Sequence, residues 1–371
     1  MLEFDKTIPR IAAIDWMRGL VMILMALDHT SWFFNTHRIF ADSVLLYERG
    51  DVFATDQFLT RWITHICAPT FVFLAGTAIA ISNAQRKMQG VAVSIIEREL
   101  LLRGIFIALL DLCIFSLVSG KLILQVLYAI GVSMVLMVFL QRLGTRIVFF
   151  LAIAILAGSE LLLMRVWHPG SETPIWLAIT LAPVFSETYT VLYPLLPWLG
   201  IMMLGWVFGE RLSLPGRPLL WPAERLLMVW GLVALVMFVV VRGIDGYGNM
   251  FMFLDGHTPV HWLHISKYPP SLAYVLLELG LMAIILALLI RLESVIIIVA
   301  RNEPVLVFGQ TALFFYLAHF CVLQVLRLFF ERGALEWVYG ITVLVLMILY
   351  PICRIYRSLK WRHPNSLLRF L

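Results

Sequence analysis

Asp15, Arg18, Asp28 and His29 interrupt one long apolar run, residues 11–34. On a helix each residue turns the direction by 100°. Arg18 and His29 are eleven apart, so they differ by only about 20° in direction and about 16 Å along the axis. Asp15 falls on the same side, and Met22 and Met25 fill the stripe between. A guanidinium binds phosphate bidentately. An imidazole, with its pKa of about 6.5, exchanges protons near physiological pH and suits a general base. One face carrying both fits a long substrate with an anionic head at Arg18 and its reactive end at His29. The plainer reading ties Arg18 to Asp15 and leaves His29 as a packing residue. Asp28 points about 100° away from His29 and cannot pair with it along the same helix. A histidine oriented by Asp28 therefore comes from another segment, and His65 and His319 are the candidates.

Further polar residues sit in apolar surroundings. Arg61 and His65 are four apart in TRWITHICAPT, and Arg98 and Arg103 open the segment IIERELLLRGIF. Lys267 and Tyr268 stand in SKYPPSL, and Gln310, Tyr316 and His319 in FGQTALFFYLAHF. An ionisable group at membrane depth costs about 2.5–3.5 kcal/mol on insertion scales and marks function. His257, His261 and His264, at spacings of four and three, resemble metal ligands on a helix turn, but equally a wet interfacial segment. No metal is expected. The four cysteines form no CxxC pair and read as buried thiols.

These residues need a frame, and composition supplies one. Hydrophobic residues make up 61% of the 371 and charged residues 14%, against roughly 25% charged in soluble domains. Lipid is the solvent that suits such a chain. The expected architecture is all-α, a single polytopic domain over residues 1–371. About ten spans are expected: 11–34, 57–83, 97–119, 121–141, 146–166, 191–210, 222–243, 268–291, 304–330 and 335–357. Pro69 is expected to kink the second, and Gly76 with Ala80 to make a close-packing face. Residues 171–190, broken by Pro174 and Pro183, read as an interfacial or re-entrant piece. Clusters such as Lys6 with Arg10, Arg86 with Lys87, Arg211 with Arg217, Arg301, and Arg354 through Arg369 place both termini in the cytoplasm. The loops 35–56 and 244–267 then face outward. The net charge of +5 lies in these clusters. It forms no aromatic-interleaved basic stripe, which argues against a nucleic-acid partner.

Residues 10–82, with RIAAIDWMRGLVMILMALDHTSWFF and FLTRWITHICAPTFVFLAGTAIAIS, resemble a group of bacterial membrane proteins. That group is classed with the catalytic domain of heparan-α-glucosaminide N-acetyltransferase. The segments YPLLPWLGIMMLGWVFG, SKYPPSL and FGQTALFFYLAHF look like the same group. The pattern of Asp15, Arg18 and a histidine eleven beyond is also similar to the acyltransferase-3 family. That similarity implies His29 as the catalytic histidine, and Arg98 and Arg103 in an acyl-CoA site. The lysosomal acetyltransferase departs from this, with asparagine at the matching position and its histidine further on. His37 is the nearest match to that one, so the order is His29 first, His37 second.

The function expected is a membrane acyltransferase. It moves an acetyl or other acyl group from cytoplasmic acyl-CoA to a sugar or glycan on the outer side. His29, Asp28, His65 and His37 are the catalytic candidates. Arg18, Arg98 and Arg103 hold the acyl-CoA phosphates. Arg61, Lys267, Tyr268, His319 and Gln310 meet the acceptor. A bacterial plasma membrane is expected, and a homodimer is compatible with it. The alternatives are a proton-coupled transporter or flippase, in which the same groups relay protons, and a non-enzymatic assembly factor. No inverted repeat supports the transporter.

Overall fold

In the computed structural model, residues 11–116, 120–213, 221–296, 302–363 and 366 are described. Lys6, Arg10, Arg217, Arg301 and Arg369, counted among the cytoplasmic charges, lie outside them. Apolar runs this long become helices because each backbone N–H and C=O must be paired within its own segment. The helices are α1 Ala12–Phe34, α2 Thr55–Ile63, α3 Cys67–Met88, α4 Val93–Asp111, α5 Val126–Leu140, α6 Thr145–Val166 and α7 Ile175–Thr180. They continue as α8 Leu195–Ser213, α9 Ala223–Ile244, α10 Pro259–Leu263, α11 Leu272–Val295, α12 Pro304–Gln310, α13 Ala312–Leu326 and α14 Leu335–Arg362. Of the described residues, 72% are helical.

Among the described residues, seven helical stretches are long and apolar enough to cross a membrane, and eight if α12 and α13 count as one bent span. The sequence leads to ten. The two that fall short are α1 and α4, 23 and 19 residues long. Their charged residues, Asp15, Arg18 and Asp28 in one and Glu97, Arg98, Glu99, Arg103 and Asp111 in the other, lower their apolarity.

Three expectations need correction. The span 304–330 is not one rod: α12 and α13 meet at Thr311 with a bend of 100°. The second span breaks at residues 64–66 rather than at Pro69, which sits in the first turn of α3. Proline is tolerated there because that N–H has no intrahelical acceptor to lose. The architecture is also not purely α. Residues 122–124, expected to open a span, form β1 (Leu122–Leu124), parallel to β3 (Tyr189–Val191). β2 (Val184–Phe185) pairs antiparallel with β3. Pro183 and the polar run 186–188 favour a hairpin over a helix. Within residues 171–190, only α7 is helical.

Small residues let the helices touch backbone to backbone. A Cβ added at Gly205 of α8 would sit 1.9 Å from the Phe73 carbonyl oxygen in α3, and one at Gly76 would sit 2.0 Å from Met202 O. A Cβ on Gly309 of α12 would lie 1.8 Å from Asp15 O in α1. Such contacts replace the hydrophobic drive that lipid does not supply.

Two loops are tied over the C-terminal end of α1. Lys267 and Tyr268 donate their backbone N–H groups to Asp42 O at 2.9 and 3.1 Å. His264 Nε2 donates to Ala41 O at 2.7 Å, and Arg49 pairs with Asp255 at 2.7 Å. Arg242, only 1% exposed, donates to the carbonyls of Met252, His261, Trp262 and His264 and to Asn249 Oδ1. His261 turns back to Thr258 at 2.8 Å, so His261 and His264 face different partners. Among the described residues no group of three potential ligands converges on a metal position.

Candidate active site

A cavity of about 1170 Å³ follows α1 along most of its length. Stripes of α1, α3, α4, α5 and α13 wall it. At the α1 N-terminal end its lining is polar and largely cationic: Arg18, Asn83, Arg86, Glu99, Arg103 and Lys360. Met22, Met25, Phe71, Ile107, Ile130 and Met134 make the apolar middle. At the far end stand Asp28, His29, Arg38, Asp42, Arg61 and Lys267. A pocket that is apolar along its length and polar at two ends fits an elongated ligand with two polar termini.

His29 Nδ1 lies 2.6 Å from His319 Nε2. His319 Nδ1 lies 3.2 Å from the Phe315 carbonyl oxygen. A carbonyl only accepts, so His319 carries its proton on Nδ1. In the neutral ring its Nε2 then accepts, and His29 Nδ1 must be the donor. That leaves His29 Nε2 with a lone pair. No described residue hydrogen bonds to this nitrogen, on a half-buried ring that lines the cavity. His319, 0% exposed, stands behind it. The arrangement is that of a base with its second nitrogen fixed by a partner.

Below His29 lies an ion cluster. Arg61 bridges the carboxylates of Asp28 and Asp42, reaching Asp42 Oδ2 through Nε at 2.7 Å. Arg38 donates to Asp28 Oδ1 at 2.9 Å and to the Asp28 carbonyl at 2.7 Å. The Thr64 hydroxyl is 3.1 Å from Asp28 Oδ1, and His65 Nε2 donates to Asp42 Oδ1 at 3.1 Å. The break after α2 aims Arg61, Thr64 and His65 at these carboxylates together. Burial alone would raise the Asp42 pKa. Arg61 and His65 outweigh it and hold the carboxyl well below the usual carboxylate range.

The structure brings together some of the expected residues and separates others. Arg18, Arg103, Arg61, Lys267, Tyr268 and Gln310 line the cavity with Asp28 and His29. Arg18 also pairs with Asp15 at 3.2 Å, and Gln310 accepts from Arg357 at 2.9 Å. Asp28 orients no histidine, because arginines occupy its carboxylate. The histidine held by a carboxylate is His65, and its partner is Asp42. His65 is 3% exposed and sits behind Asp42, outside the cavity lining. His319 contacts His29 from outside the lining rather than facing a ligand. His37 is exposed, hydrogen-bonded to Thr36 at 2.9 Å, and not among the residues that line the cavity. Arg98 is exposed on a face of α4 that the cavity does not reach. Arg86, Lys360, Arg38 and Asp42 join the site without having been expected there. Arg86 and Lys360 read as ordinary anchoring charges in the sequence. Arg38 and Asp42 lie in a loop whose path no periodicity reveals.

The family model described as heparan-alpha-glucosaminide N-acetyltransferase, catalytic, matches residues 10–240, from the start of α1 into α9. SKYPPSL and FGQTALFFYLAHF lie beyond that match. No curated protein matches the chain.

Proposed function

The chain belongs to the heparan-α-glucosaminide N-acetyltransferase catalytic family, and from that premise we propose that it transfers an acyl group from acyl-CoA to a sugar or glycan across a bacterial plasma membrane. In this reading α1 and α4 also cross the bilayer, which makes ten spans with both termini cytoplasmic. Acyl-CoA approaches from the α1 N-terminal end. Its phosphates meet Arg18, Arg86, Arg103 and Lys360, and its pantetheine arm lies along the apolar middle. The thioester stops at His29. The acceptor enters at the other end, beside Lys267 and Tyr268.

The observation that carries this reading is the single lone pair left on His29 Nε2. His29 takes the proton of an acceptor hydroxyl or amine as that atom attacks the thioester carbonyl. The C–S bond breaks, and the CoA thiolate takes the proton back from imidazolium. His319 keeps Nδ1–H in place throughout. The ion cluster holds the far wall, and Asp28 helps fix it rather than relaying protons.

The test is purified protein given radiolabelled acetyl-CoA and an amino-sugar acceptor. His29→Ala should retain acetyl-CoA binding and lose at least about 10²-fold in turnover. Undiminished transfer by well-folded His29→Ala protein overturns the role. Transport of an unchanged solute without any acetyl-CoA binding would instead favour the transporter reading.

A further inference from the structure

Lys267 is 3% exposed and lines the cavity at the end that holds His29. Its place is set by backbone. Its own N–H is donated to Asp42 O, Ser271 N–H is donated to Ser266 O at 3.0 Å, and Ser266 Oγ donates to Pro269 O at 2.8 Å. Its ammonium lies 5.3 Å from the centre of the Tyr268 ring. No described residue forms an ion pair or hydrogen bond with that ammonium.

The carboxylates nearby are already engaged. Asp28 is held by Arg38 and Arg61, and Asp42 by Arg61 and His65. Glu278 of α11, buried with Oε1 unpartnered, forms no ion pair or hydrogen bond with the lysine. Arg38, Arg61 and His65 take the ion-pairing positions on both aspartates, and Lys267 is left with no ion-pair partner at this wall. A sheltered ammonium with no direct ion-pair partner is costly unless an anion arrives to meet it. It is open to the cavity.

We propose that Lys267 is an anion-binding post, and that the acceptor carries a carboxylate or phosphate close to the group it acylates. This rests on the acyltransferase reading and narrows its acceptor to acidic sugars and sugar phosphates. Two matched pairs distinguish the two anions: methyl glucuronide against methyl glucoside, and glucosamine 6-phosphate against glucosamine.

Calorimetric binding to the purified protein, without acyl-CoA, tests the post apart from the reaction. The acidic member of at least one pair should bind about tenfold or more tighter than its neutral mate, the worth of one charge-assisted contact. That preference should vanish in Lys267→Met, survive in part in Lys267→Arg, and shrink in the wild type as salt is raised. Equal binding of acidic and neutral members overturns the proposal, as does a preference that persists in Lys267→Met. So does a Lys267→Met enzyme that loses turnover equally on acidic and neutral acceptors with binding unchanged, because the charge would then serve the transition state. Should Lys267→Met fail to fold, the wild-type salt titration and Lys267→Arg decide the matter between them. An acidic preference in a protein that binds no acetyl-CoA would sink the acyltransferase reading and leave the post standing.

Discussion

Arg61→Met removes the one side chain that, among the described residues, hydrogen bonds to both Asp28 and Asp42. Arg61 is 8% exposed and Asp42 6%, while the Asp28 side chain is 14% exposed. Removing one partner of a buried ion pair costs about 3–5 kcal/mol, mostly from the charge left behind. Here each carboxylate keeps a second partner, Arg38 at 2.9 Å for Asp28 and His65 at 3.1 Å for Asp42. The expected loss is therefore near the lower end, about 3 kcal/mol. Asp42→Asn alone leaves Arg61 with only Asp28 and should also destabilise. The double variant strands fewer charges than the two single changes counted separately. The two effects should then fall short of additivity by at least about 1 kcal/mol. Tryptophan fluorescence followed through denaturant unfolding in detergent measures all four corners of the cycle. Losses under about 1 kcal/mol for Arg61→Met, or additivity within about 0.5 kcal/mol, would refute the bridge.

Two further expectations follow from the same geometry. His319→Phe takes away the acceptor for His29 Nδ1–H, so turnover should drop about 10²-fold with little change in KM. His319→Gln, whose carbonyl can accept that proton, should recover part of the loss, and equal damage from both changes would remove His319 from the mechanism. The second concerns pH. The folded Asp42 pKa lies below its unfolded value of about 3.9, so its contribution is complete above that and is lost as pH falls through the folded value. The stability gap between wild type and Asp42→Asn should stay flat from about pH 5 to 8 and narrow only below about pH 4. A gap that already closes at about pH 6 would contradict the pairing with Arg61.

The helices were readable because lipid leaves an apolar run almost no other choice, and the α1 face because its residues obey a simple 100° step. Arg18 and His29 do line one cavity, as that step predicts. What failed to show in the sequence was set by contacts across the fold. FGQTALFFYLAHF is apolar on both sides of Thr311, so nothing in its pattern announces a 100° bend. The partner of Asp28 could not be read either. Its arginines come from α2 and from a loop that His264 and Lys267 tie down from more than 200 residues away. Arg98 and Arg103 both open α4 in the sequence, Arg103 the deeper, and five residues apart they point to different sides. Only the packing of α4 decides which one faces the cavity.

The polar residues around His29 share a structural origin. Arg61, Thr64 and His65 flank the break between α2 and α3. Gln310 ends α12 at the bend. Lys267 and Tyr268 lie in the irregular segment before α11. Non-helical backbone at membrane depth is tolerated only where it is buried in protein or borders a water-filled space. In the proposed ten-span arrangement each break has to be sheltered, and the cavity borders all three of them. The same breaks allow side chains from distant helices to converge at angles that straight rods crossing at a shallow angle would not provide. His29 is the exception, since it stands on the unbroken α1. The proposed base therefore sits on an unbroken helix, the groups proposed to meet the acceptor sit beside the breaks, and His319 reaches across from α13 to hold the His29 ring between them.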